Sequence, residues 1–321
     1  MMDKKQLTER IRELTGWAMV PPPNIIEDTT DTMRITRGDV LCLDGRQFLI
    51  TGHKYETRFG IGDQPKYWVL GAYQLDNGQQ KILKTEFHED FHVHIGVFRV
   101  HCYRSPEKEA QVLDLVRGDH RFMQGYTTTD AAGNHVRVID FIRGQSLFNM
   151  IHNINKTHRQ YFFQDLPWIL RKLLPCLEAI EFLHQNGTCH GDIRNDHIIM
   201  DSDSGCFRWI DFDLNQNVAD FDVWSIGNIF NYALAKGILS FKSVLDSRDI
   251  PEEIKKSLSR ADAGAFYEYR IMNLQKIYPY VTDRLARILK HFTIQPTGYY
   301  ESMAQVIEDY TDMLDADFPS S

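Results

Sequence analysis

Two aspartates define the chemistry this chain could carry. Asp192 sits in the run Cys189-His190-Gly191-Asp192-Ile193-Arg194-Asn195-Asp196-His197, and Asp211 opens Asp211-Phe212-Asp213. Between them lie a short apolar stretch at 198–200, a turn of Asp, Ser and Gly, and a second apolar stretch at 207–210. That order reads as a β-hairpin. With one aspartate before its first strand and the other after its second, the hairpin brings both carboxylates to the same end. One carboxylate can accept a proton from a nucleophile, and the other can hold Mg2+, which favours oxygen ligands. Such a pair suits phosphoryl transfer, in which the protein positions groups and stabilises charge. Taken singly, either tripeptide also reads as a hairpin carrying solvated acids.

The elements that must position these groups belong to an ordinary globular chain. It has 321 residues, 43% hydrophobic and 25% charged, enough for two lobes. No run approaches the roughly 18 apolar residues of a membrane helix, and the charged N-terminus has no apolar core, so a cytoplasmic protein is expected. The cysteines Cys42, Cys102, Cys176, Cys189 and Cys206 are scattered and lack C-x-x-C spacing, which argues for reduced thiols over a disulfide or zinc framework. A net charge of -8 makes nucleic acid an unsuitable main partner.

Along the chain, residues 3–15 carry Leu7, Ile11 and Leu14 at helical spacing, and Pro21-Pro22-Pro23 then stops any helix. Residues 1–45 read as an N-terminal extension. Asp44-Gly45 marks a hairpin turn within 39–52. Next come a strand ending near Thr57, a loop containing Gly60 and Gly62, a strand over 67–74 and a strand over 81–87. Lys84 shares a strand face with Ile82; Lys81, its competitor, lies nearer the turn and on the other face. Ser105-Pro106 starts a helix, in which Glu109 precedes Val112 and Leu113 by three and four residues and so sits above an apolar stripe. The intervening stretch 88–103 carries His88, His92, His94 and His101 and reads as surface histidines on an inserted hairpin, with His92-x-His94 as a metal-binding alternative. A long helix over 166–186 ends at Gly187.

Several of these segments resemble motifs of the protein-kinase-like superfamily. His190-Gly191-Asp192-Ile193-Arg194 with His197 resembles the catalytic loop H-R-D-L-K-x-x-N, and Asp211-Phe212-Asp213 resembles D-F-G. Asp222-Val223-Trp224-Ser225-Ile226-Gly227 resembles D-x-W-S-x-G, whose Asp holds the catalytic-loop backbone. The resemblance implies an α+β, bilobal fold: a small antiparallel β lobe plus one helix over 46–141 and a larger, mainly helical lobe over 142–321. It implies that Lys84 pairs with ATP phosphates and that Glu109 orients it. The Gly60-x-Gly62 loop, equally readable as a plain turn, would cover the phosphates, and the backbone from Asp140 to Ile142 would meet adenine. Asp192 would be the general base, Arg194 would stabilise the transferring phosphoryl group, and Asp211, His197 and Asp213 would be the metal-binding positions.

The departures from the pattern are informative. Only eleven positions separate Asp211 from Asp222, so the activation loop and the floor for a peptide are almost wholly missing. The Arg of H-R-D is Gly191, and the metal-binding Asn is His197; imidazole suits Mn2+ better than Mg2+. The expectation is an ATP- and Mg2+-dependent phosphotransferase, with Mn2+ as a second candidate, acting on an atypical protein or a small-molecule hydroxyl. The alternative is a pseudokinase that binds nucleotide or partners with little catalysis.

Overall fold

The structure, a computed structural model, describes residues 2–58, 61–95, 98–216, 218, 220–296 and 298–319. The chain divides into two compact units, one of residues Met1–Glu89 and Ser105–Ile142, the other of Asp90–Arg104 and Arg143–Ser321.

The first unit contains α1 (Lys4–Thr15), β1 (Ile25–Ile26), β2 (Val40–Leu43), β3 (Arg46–Arg58), β4 (Ile61–Gln74) and β5 (Gln80–Lys84). The chain then makes β6 (Asp90–Ile95) and β7 (Phe98–Arg104) of the second unit. It returns to the first as α2 (Pro106–Leu115), β8 (Gly125–Thr129) and β9 (His135–Asp140). The sheet runs β1-β2-β3-β4-β5-β9-β8. The β2–β3 turn falls on Asp44-Gly45, at φ 45° and 73°, a two-residue turn that needs positive φ at both positions. Residues then alternate across the sheet. Phe48, Ile50, Leu70, Ala72, Leu83, Val136 and Val138 form a core on one face, and Val40, Leu49 and Leu75 join Leu7 and Ile11 of α1 on the other. Helix α1 is started by Asp3, whose side chain accepts from the Lys5 and Gln6 N–H groups, and is stopped by Gly16 at φ 74°. Full burial of Leu7 and Ile11 contributes about 1.5–3 kcal/mol each.

The second unit continues with β10 (Gly144–Ser146), α3 (Leu147–His152), α4 (His158–Gln164), α5 (Leu166–Gln185), β11 (Ile198–Asp201), β12 (Phe207–Trp209), β13 (Leu214–Gln216), α6 (Phe221–Ala235), α7 (Phe241–Asp246), α8 (Glu252–Ser257), α9 (Asp283–Lys290) and α10 (Met303–Asp317). Helix α5 buries Ile169, Leu170, Leu173, Cys176, Leu177, Ile180 and Leu183, the stripe that its spacing requires. The Trp209 indole N–H donates to the Cys176 carbonyl at 2.9 Å and ties β12 to α5. Helix α6 is buried almost all round. Two three-stranded sheets complete the unit, β10-β11-β12 and β13-β7-β6.

This architecture corrects the expected one. The chain is α+β, but the first unit is not a small antiparallel lobe with one helix. Its sheet has seven strands, is curled, and is mixed because Ile25–Ile26 pairs in parallel with Val40 and Leu41. The second unit is not a helical lobe alone: among the described residues it carries six strands in two sheets beside its helices, and only 39% of the structure is helical. Two physical reasons account for the difference. A two-residue strand leaves no periodicity to read, and α1 is defined by the apolar face that Leu7 and Ile11 bury against the sheet.

Candidate active site

The loop at 190–197 is held from beneath by Asp222. This carboxylate is fully buried and accepts the His190 N–H at 2.7 Å, the Gly191 N–H at 2.8 Å and a bond from His184 Nε2 at 3.1 Å. Burial pushes the Asp222 carboxyl up, but the His184 bond, the nearby His190 and the Gly191 N–H together hold it below the usual carboxylate range. Gly191 takes φ 86°, so the backbone here calls for a glycine. The fully buried His190 and Phe212 rings pack at 4.8 Å, which joins the loop to the segment that follows β12.

Beyond this support, the pairing of β11 with β12 brings three ligand-bearing side chains together. One ligand atom from each of Asp192, His197 and Asp211 lies within 4.8 Å of the other two. His197 is 4% exposed, and its Nδ1 lies 2.8 Å from the Asp192 carbonyl oxygen. A carbonyl oxygen can only accept, so Nδ1 of His197 carries the proton. Its Nε2 lies 3.4 Å from Asp211 Oδ2. The donor set of two carboxylates and one imidazole fits a divalent metal and suits Mn2+ better than Mg2+. Burial pushes the Asp192 carboxyl above its ordinary range; His197 and Arg194 oppose the rise, and Asp211 adds to it.

Arg194 and Asp213 each form an ion pair. The Arg194 guanidinium is gripped by Asp196, Nε to Oδ1 at 3.0 Å and Nη2 to Oδ2 at 2.6 Å. Asp213 is paired with Arg104 of β7, Nη1 to Oδ1 at 2.5 Å, and both side chains are buried. Neither Asp196 nor Arg104 was picked out by sequence reasoning. Asp196 lies two residues from Arg194 and was available as a signal, but nothing in the spacing links Arg104 to Asp213.

In the first unit, Lys84 Nζ donates to Glu109 Oε1 at 2.6 Å, and Lys81 is instead paired with Asp140 at 2.5 Å. Arg137, opposite Lys84 in the β5–β9 register, is a further member: its Nε meets Glu109 Oε2 at 3.2 Å. Glu109 therefore lies between two cations, and the buried Arg137 Nη1 has no hydrogen-bond partner among the described residues. The Asp140 N–H donates to the Gln124 carbonyl at 2.8 Å, and Ile142 closes the unit. Gly62 falls within β4, and Gly60 lies outside the described residues.

The chain matches no family model, and no curated protein matches it. Among the described residues, no helix is long and apolar enough to cross a membrane.

Proposed function

We propose that this protein is an ATP-dependent phosphotransferase that moves a phosphoryl group to a hydroxyl of an atypical protein or a small molecule. The observation that carries this reading is the convergence of Asp192, His197 and Asp211 at one end of the β11–β12 hairpin. The likeness of the two segments to H-R-D and D-F-G supports it. Asp192, with its carboxyl raised by burial, is suited to take the proton of the acceptor hydroxyl as that oxygen attacks phosphorus. Asp211 and His197 would hold Mg2+ or Mn2+, which would offset charge on the phosphates. Asp213, paired with Arg104, lies two residues from Asp211. Lys84, oriented by Glu109, is the phosphate-binding cation in this reading. The net charge of -8 favours a protein or small-molecule acceptor over nucleic acid, and the five free cysteines favour the cytoplasm.

A second reading, a nucleotide-binding module with little catalysis, is favoured by one observation: Asp196 occupies the guanidinium expected to stabilise the transferred group. Incubation with labelled ATP and Mg2+ or Mn2+ separates the two. Turnover or self-labelling that falls by about 10²–10⁴ in Asp192→Ala is expected of general-base catalysis, and Asp211→Ala removes it as well. Nucleotide-dependent thermal stabilisation without turnover supports the second reading and overturns the first.

A further inference from the structure

We propose that Arg104, on the β6–β7 hairpin, is a positioning residue that fixes the backbone of Asp211 and thereby its carboxylate. The role in metal binding rests on the phosphotransferase reading above.

Asp211 takes φ 70°, left-handed backbone that a non-glycine residue keeps only where its surroundings impose it. On its N-terminal side the Ile210 N–H donates to the His197 carbonyl at 3.0 Å. On its C-terminal side the restraint comes from β7. Leu214, Asn215 and Gln216 of β13 pair with Arg104, Tyr103 and Cys102, and Leu214 packs with Phe221 against Val100 and Cys102. Arg104 then reaches the Asp213 carboxylate, two residues from Asp211, with the two side chains only 6% and 5% exposed.

A buried ion pair is a poor source of stability, because desolvating two charges offsets their attraction. Apolar residues would hold β13 against β7 equally well. What a charged pair adds is one defined placement for the Asp213 side chain, and with it the turn through Phe212 back to Asp211. The histidine-rich stretch that reads as a mere insertion thus supplies, at its C-terminal end, the grip on the segment bearing the metal-binding aspartate.

The test uses the full chain and measures two things: hydrogen exchange of the amides at 211–216, and Mn2+ affinity by electron paramagnetic resonance. The central variant is the double substitution Arg104→Met with Asp213→Asn, which removes both charges and leaves neither buried alone. It is expected to keep the native circular dichroism, to exchange faster at 211–216, and to bind Mn2+ about 10- to 100-fold more weakly, the usual effect of losing an outer-shell partner. Arg104→Lys, which keeps the charge, is expected to return most of that affinity. Should the double variant fail to fold, Arg104→Gln is read in the same two ways with the same expected loss. Exchange at 211–216 or Mn2+ affinity unchanged from wild type overturns the proposal. If wild type binds Mn2+ no better than Asp211→Ala does, the phosphotransferase reading fails, and the exchange measurement still decides whether Arg104 fixes Asp211.

Discussion

At the scale of the residue, His197 is the side chain whose chemistry most narrows the site. Its Nδ1–H is committed to the Asp192 carbonyl, so any cation shared with Asp211 meets nitrogen as well as oxygen. His197→Asn substitutes an amide oxygen and should move preference from Mn2+ toward Mg2+. We expect the ratio of Mn2+-supported to Mg2+-supported activity to fall by about tenfold or more, read from initial rates in each metal. Asp222 carries a pH prediction. Its folded carboxyl lies below the ordinary range, so its contribution to stability is fully present above the unfolded value of about 4 and is lost as pH falls through the folded one. Asp222→Asn should lower the melting temperature at pH 7 and flatten the acid limb of the melting-temperature profile. Breaking such a buried network should cost about 3–5 kcal/mol. Lys84 and Glu109 were legible as strand-face and helix-face positions, because periods of 2 and 3.6 place them. Arg137, Asp196 and Arg104 were not, since a partner that arrives by strand pairing or by a turn leaves no spacing to read.

Among elements, the β2–β3 hairpin and α5 follow directly from local rules, a two-residue turn with positive φ and an unbroken apolar stripe. Strand β3 does not. The sequence reads as a hairpin arm and then a second strand, but Arg46–Arg58 is one strand with register shifts at Ile50/Gly52, His53/Lys54 and Glu56/Arg58. Bulges let it bend without ending, and bulges have no fixed residue signature. Helix α1 shows the converse: its heptad-like apolar spacing is plain, whereas the surface that receives it comes from three distant strands. Because Ile11 is fully buried among Val40, Leu49 and Leu75, Ile11→Ala should destabilise the protein by about 2–5 kcal/mol in urea unfolding. A tethered appendage would instead lose less than about 0.5 kcal/mol.

For the whole molecule, the connectivity is the main result. Residues 90–104 lie in the second unit, whereas the residues on both sides of them, up to Glu89 and from Ser105 to Ile142, lie in the first. The chain therefore crosses from one unit to the other at three places, and neither unit is a continuous stretch of sequence. A boundary placed near residue 142 by reading along the chain separates β13 from its pairing strand. The fragment 143–321 should accordingly expose Leu214 and Phe221, which pack against Val100 and Cys102 in the intact chain, and should bind a hydrophobic dye or aggregate on purification.

That interleaving carries a practical corollary for dissection. Because β6 and β7 pair with each other, a synthetic peptide spanning 88–106 supplied in trans has the missing strand, the apolar cover and the guanidinium all on one short piece. Split-protein reconstitution, and not simple deletion, is the way to isolate the second unit.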